Sequence, residues 1–379
     1  MHFKHRYTLD LVKKLLGDNL AKHQRNALVY SHNKYIPYPF QANLQGLPTG
    51  IINECIEGLI QVSKHANKAK SKKGLNFLEW INQSFGNGIA KRFMIPYNTK
   101  FWTVQPKELT CEWLDGFIPV PTLSEVINGA IGKTRKRFGY NVYFWYPKTG
   151  GISELPLALS KQISNIYTDS RITEIDLTKK EIGLCSGKRE KFDYLISTIP
   201  LPELPYLLNK IPGCLSGQFR KLKWNSIFNL NLGLEKRDNL KRHWVYFSQD
   251  KISFFRVGYY HNFSSYLAPS VKGSLYVEVS YSQDKPINRK DIVSQIKSDL
   301  IKVGILNGDK IAVEHKNDIK YGYPIYDNNY ETCRKKILEF LLKNRIISCG
   351  RYGSWRYMSM EGAIWEGKNL SESYAKLFI

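Results

Sequence analysis

Hydrophobic spacing along this chain shifts from helical to alternating and back to helical. Leu9, Leu11, Val12, Leu15 and Leu16 recur at helical intervals and Gly17 supplies a stop, so a first helix is predicted there. Residues 27–30 and 34–38 read as two strands around a Ser31-His32-Asn33 turn. Helices are expected over 50–70 and 76–92. A strand over 144–147 runs into a Gly150-Gly151 turn and a helix from Ser153 to about residue 163. Residues 171–176 and 181–185 alternate as a hairpin does, and 192–200 read as a buried strand stopped by Pro200. From 225 to 282 short strands dominate (228–234, 244–247, 252–257 and 274–281), which predicts an antiparallel sheet. An amphipathic helix over 291–303 follows.

Near the C-terminus, a β-branched run over 344–349 ends at Gly350. Ser359 then stands as an N-cap before Met360, Ala363, Ile364 and Leu370 at helical spacing. Strand, glycine turn and helix N-terminus bring backbone N–H groups up to an electron-rich ligand. Gly350-Arg351-Tyr352-Gly353 lets backbone and guanidinium approach a phosphate. An ordinary turn with a surface arginine is the competing reading.

Composition narrows this picture. A chain of 379 residues buries a sizeable core as one large or two medium domains. Aromatic content of 13% argues for a folded protein with amphipathic surfaces. The net charge of +23 fits nucleic acid, anionic lipid or a phosphorylated substrate. The cations are scattered, and the densest run, 64–73, reads as a solvated helix end or loop, so no nucleic-acid partner is expected. Six cysteines without a CxxC pair suit a reducing compartment and no metal site. No apolar run is long enough for a membrane span, and a cytoplasmic location is expected.

Polar residues in apolar surroundings mark candidate sites. The segment Phe93-Met94-Ile95-Pro96-Tyr97-Asn98-Thr99-Lys100-Phe101-Trp102 reads as a Pro-bounded loop, either ligand-facing or an aromatic packing corner. Arg256 and Glu278 lie in strand patterns and are therefore edge-exposed or turned toward a site. Tyr321, Tyr323 and Tyr326 surround a Pro324 turn.

Four segments, in order, carry a resemblance. Pro96-Tyr97-Asn98-Thr99-Lys100-Phe101-Trp102 resembles Pro-Tyr-Thr-x-Lys-x-Trp. Tyr146-Pro147-Lys148-Thr149-Gly150-Gly151 resembles Tyr-Pro-x-x-Gly-Gly. The stretch from Phe192 to Pro202 resembles a strand ending Ile-x-Thr-x-Pro, and Gly350 to Ile364 resembles Gly-Arg-x-x-x-(aromatic)-x-Tyr-x-x-Met. Together they resemble the flavin-containing amine oxidase superfamily, in its branch of protoporphyrinogen-oxidase-like proteins and UDP-galactopyranose mutases.

That resemblance implies a mixed α/β fold, with a glutathione-reductase-type FAD domain interleaved with a substrate domain holding an antiparallel sheet. It implies an FAD domain over 1–50, 144–224 and 310–379, and a substrate domain over 51–143 and 225–309. FAD would be held by Ile172, Thr198, Pro200, Gly350, Arg351, Ser359 and Met360. A small-molecule substrate, a nucleotide sugar among the candidates, would meet Asn98, Lys100, Trp102 and Arg256, with Tyr323 and Tyr326 assisting. No catalytic residue is assigned. His2-Phe3 resembles the interior of Gly-Gly-His-x-x-His-Phe, and the family's opening Gly-x-Gly-x-x-Gly unit has no counterpart. A fragment, a misplaced start or half of a split protein is therefore expected. Ser359 stands where mutases carry Asp. Three functions follow: a nucleotide-sugar or surface-polysaccharide enzyme, an amine or porphyrinogen oxidase, or a remnant unable to hold FAD.

Overall fold

The computed structural model describes residues 1–64, 74–114, 117–134, 136–139, 141–308 and 310–374. Most of the cationic run over 64–73 lies outside the described residues. The chain divides into two units, one of residues 1–20, 152–224 and 323–379, the other of 21–151 and 225–322. Among the described residues no helix is long and apolar enough to cross a membrane.

The second unit is built on a seven-stranded sheet. Its order is Ile311–Pro324, Trp224–Leu234, Gly273–Tyr281, Arg256–Tyr259, Trp244–Phe247, Ala27–Ser31 and Lys34–Pro37. Alternation along the strands decides its faces. Leu230, Leu232, Val257, Leu275 and Val277 point to one side and form the core with Ile296 and Leu300 of the helix Ile292–Lys302. The opposite side receives Asn229, Asn231, Arg256 and Glu278. Positive φ at His32 (49°) and Asn33 (59°) closes the first hairpin tightly, as its turn residues predicted.

The first unit holds a parallel strand pair, Leu195–Ser197 beside Ile346–Ser348, and a three-stranded sheet of Ile172–Asp176, Glu181–Leu184 and Arg189–Lys191. The helices Arg6–Leu16, Glu154–Ser160, Gly213–Arg220, Tyr330–Lys343 and Met360–Tyr374 belong to it as well.

Several expectations are corrected. The presumed loop over 93–102 is a π-turn, Ala90–Met94, continuing into the helix Ile95–Trp102. Pro96 is tolerated in the first turn, where its missing N–H costs nothing. Phe93, Tyr97 and Phe101 stack at four-residue spacing, with centroids 5.2 and 6.2 Å apart. The strand expected over 192–200 shrinks to Leu195–Ser197, paired among the described residues with Ile346–Ser348, and its Ile196 is 46% exposed where a buried side chain was expected. The strand expected over 252–257 starts at Arg256 instead, and the helix expected over 50–70 runs Thr49–Ser63, positions 65–70 lying outside the described residues. The long strand Ile311–Pro324 had no hydrophobic signature, since its residues 312–320 are all exposed. Residues 21–50, expected with the cofactor segments, supply two strands of the seven-stranded sheet and belong to the second unit.

Candidate functional site

In the first unit, chemistry gathers where the parallel strands end. Ligand crevices of open α/β sheets lie outside the carboxyl ends of strands. Here Cys349 donates its N–H to the Ser197 carbonyl at 2.9 Å, which keeps the two chains together past the ladder. Gly350 then takes φ +76°, a left-handed conformation that suits glycine. The next turn, Gly350–Gly353, packs onto the strand end so closely that a Cβ on Gly353 would lie 2.7 Å from the Ser197 carbonyl oxygen. Thr198 faces the same turn, its Cγ2 3.7 Å from where a Gly350 Cβ would be.

Arg351 is held rather than loose. Its Nη1 donates to the Met358 carbonyl at 2.9 Å, and its guanidinium sits 4.9 Å from the Tyr323 ring, 5.4 Å from Tyr357 and 5.7 Å from Tyr352. Such stacking orients a planar cation while leaving its charge intact. The Tyr326 hydroxyl accepts the Tyr357 N–H at 2.6 Å, and burial raises its pKa. Gly350 N–H donates to the Glu366 carboxylate, which also takes Arg356 at 2.7 Å. Ser359 caps the last helix by accepting the Gly362 N–H at 3.1 Å, and Met360 beside it is 42% exposed. Ile172 lies in the three-stranded sheet, half-buried at a register shift, while Pro200 opens the turn Leu201–Tyr206.

In the second unit, four residues form a row across four strands. Tyr246 pairs with Arg256, Arg256 with Glu278 and Glu278 with Asn229. Arg256 Nε donates to the Glu278 carboxylate, so this arginine is neither at an edge nor solitary. Beside it Gly258 has no side chain for a steric reason: a Cβ there would lie 1.9 Å from the Tyr276 ring. Tyr276 thus lies across the backbone, 4.8 Å from Tyr260 between ring centroids. Burial raises both phenols, that of Tyr260 to about 12.

The helix Ile95–Trp102 places its expected residues inside. Asn98 donates to the Met94 carbonyl at 2.7 Å. Lys100 Nζ donates to the carbonyls of Gln249, Ile252 (2.7 Å) and Phe254 (3.4 Å), and burial lowers its pKa to about 7. Trp102 is buried against Trp113, centroids 4.8 Å apart.

The sequence model described as flavin containing amine oxidoreductase matches residues 58–372. The chain belongs to that family. Among solved structures it is similar to reduced UDP-galactopyranose mutase, at 26% identity and a TM-score of 0.85, over 94% of this chain and 77% of that one. A putative protoporphyrinogen oxidase from Exiguobacterium sp. 255-15 aligns at 15% identity and a TM-score of 0.72, over 96% and 84%. Cyclohexylamine oxidase from Brevibacterium oxydans IH-35A aligns at 10% and 0.63, over 100% and 87%. These last two share the fold. The family and its mutase neighbour are flavin-dependent.

Residues of the first unit fit a flavin nucleotide on their own geometry. The Ser197 hydroxyl is buried at the strand end, and among the described residues it has no hydrogen-bond partner. Next to it Gly350 takes its positive φ with no side chain at the turn, its N–H directed to Glu366, and a fixed guanidinium follows. Asn229 and Asn231 were not singled out, whereas Glu278 was read as edge-exposed or turned toward a site without being assigned to substrate. Asn229 and Asn231 were legible, because they interrupt Phe228, Leu230 and Leu232 at every second position.

Proposed function

We propose that the chain is an FAD-dependent enzyme acting on a nucleotide sugar. The observation that supports this most is the Arg256–Glu278 pair, set among tyrosines and asparagines on the polar face of a sheet whose other face is core. An arginine held in plane at Nε presents a fork whose geometry suits a diphosphate, and Asn229 and Asn231 offer amide groups to hydroxyls. Likeness to UDP-galactopyranose mutase at 26% identity favours the same substrate class.

FAD would be held through Gly350, Arg351, Thr198, Pro200 and the Ser197 hydroxyl, with Ser359 and Met360 at the ring and Ile172 toward the adenosine. The bound flavin supplies an electron pair that it can lend or withdraw. Arg351 meets the pyrophosphate, with Tyr323 and Tyr326 holding the Arg351–Tyr357 turn in place. Arg256 orients the substrate diphosphate. Lys100, Asn98 and Trp102 set the helix and the 249–254 loop behind that arginine.

Amine oxidation is the second reading, favoured by the Glu278 carboxylate on the same row, which suits a substrate ammonium. The test incubates the FAD-loaded protein with a UDP-hexose under reducing conditions, and separately with primary amines under oxygen. Isomerised UDP-hexose without oxygen uptake supports the proposal. Peroxide formed from the amine, with the UDP-hexose unchanged, overturns it.

A further inference from the structure

Among the described residues, the strand Ile311–Pro324 is an edge of the seven-stranded sheet, with Trp224–Leu234 as its neighbour strand. Nine consecutive residues on it, 312–320, are exposed, among them Val313 at 61% and Ile319 at 41%. An exposed edge this long is a template for another strand, and natural proteins commonly blunt such edges with scattered charge or proline. The charges here have an order that blunting does not require. Laid antiparallel against a copy of itself and centred on Asn317, the strand sets Lys316 opposite Asp318 and Glu314 opposite Lys320, each pair occurring twice. The same register sets Val313 opposite Tyr321 and Ile319 opposite His315. Opposite charges facing each other across an antiparallel pair stabilise it, and like charges destabilise it.

We propose that a second copy of this chain docks on this edge, pairing Ile311–Pro324 with itself about Asn317 in a two-fold dimer. The arrangement is isologous, so it closes at two chains and leaves no free edge of this kind to propagate. Within each copy Glu314 already meets Lys297 at 2.6 Å and Lys316 at 3.4 Å, while Asp318 meets Arg289 and the Tyr281 hydroxyl. Those cations hold both carboxylates on the strand, and the partner's lysine shares them.

The experiment is light scattering after gel filtration, at about 0.15 M salt, where longer-range repulsion between two basic chains is screened. Wild type is expected at twice the chain mass. K316E sets a carboxylate opposite Asp318, and D318K sets an ammonium opposite Lys316, so each variant alone dissociates at least about tenfold more readily. Mixing K316E with D318K restores opposite charges at both pairs, and the mixture is expected to return to the dimer mass as the heterodimer. E314K mixed with K320E repeats the logic at the other pair, and carries the test if D318K does not fold. Circular dichroism establishes folding of each variant. A monomeric wild type overturns the proposal. So do folded single variants that stay dimeric, or mixtures of folded variants that stay monomeric.

Discussion

Thr8 donates its hydroxyl to the Glu361 carboxylate at 2.7 Å, joining residues 353 positions apart. The same oxygen, Oε1, accepts the backbone N–H groups of Lys4 at 2.7 Å and His5 at 2.8 Å. A buried carboxylate taking three donors orders the chain before the first helix and fixes the start of the last. Replacing Glu361 with Ala takes this acceptor from the part-buried N–H groups of Lys4 and His5, while the Thr8 hydroxyl turns to the His5 carbonyl at 2.8 Å. We expect E361A to lose about 2–4 kcal/mol of unfolding free energy, and E361Q less, by urea titration. Equal stability of E361A and wild type would mean that solvent replaces the carboxylate freely.

Arg351 is expected to matter through its plane as much as its charge. R351K keeps the cation but cannot stack on Tyr323 and Tyr357 while also donating to Met358. Its FAD affinity, read from flavin absorbance against added FAD, should fall by about tenfold, and that of R351A by more. In contrast, R256A should retain FAD while weakening binding of a nucleoside diphosphate by about tenfold or more, read by calorimetry. Loss of flavin from R256A would overturn the assignment of the two residues to separate ligands.

The pH dependence of stability should carry the mark of Lys100. Its pKa is about 7 when folded against an ordinary 10.5, because burial disfavours the ammonium. Between those values the unfolded chain binds a proton that the folded chain does not, so stability contributed at this position rises as pH increases from about 7 to about 10. Below about pH 7 the handicap is constant. Measured against K100M across that range, wild type should gain ground with rising pH, and a flat difference would exclude a titrating Lys100.

Gly258 offers a test of the sheet's polar face. G258A must displace the Tyr276 ring, and we expect a loss of about 2 kcal/mol or more, largely recovered when Tyr276 is also shortened to Ser. Additive losses in the double variant would show that the ring yields at no cost.

Much of this architecture was legible because hydrophobic periodicity reports burial. The Arg6–Leu16 helix, the first hairpin and the alternation through Trp224–Leu234 all follow from side chains that must face a core. Where burial was absent, the signal was absent too. Ile311–Pro324 carries Glu314, Lys316, Asp318 and Lys320 on one face and sets His315 and Asn317 between Val313 and Ile319 on the other, so it shows its nature only through its neighbour in the sheet. The helix Ile95–Trp102 was concealed by Pro96 and by polar residues whose partners lie on distant segments, such as the carbonyls around Lys100. Gly350 and Arg351 stood out as a turn, but the tyrosines that box the arginine could be found only in three dimensions. Nothing in the spacing of Arg256 and Glu278 announces that they meet, since strand register is decided elsewhere.

That register also bears on how such a sheet can change over generations. The row of Tyr246, Arg256, Glu278 and Asn229 draws one residue from each of four strands, and neighbouring residues on each strand belong to the opposite face. Inserting a single residue ahead of Phe228 within its strand would carry Phe228 into the row and send the Asn229 amide into the core. Lineages can therefore retune these positions by substitution, and alter the hairpin tips in length, while the strands between are closed to insertion and deletion.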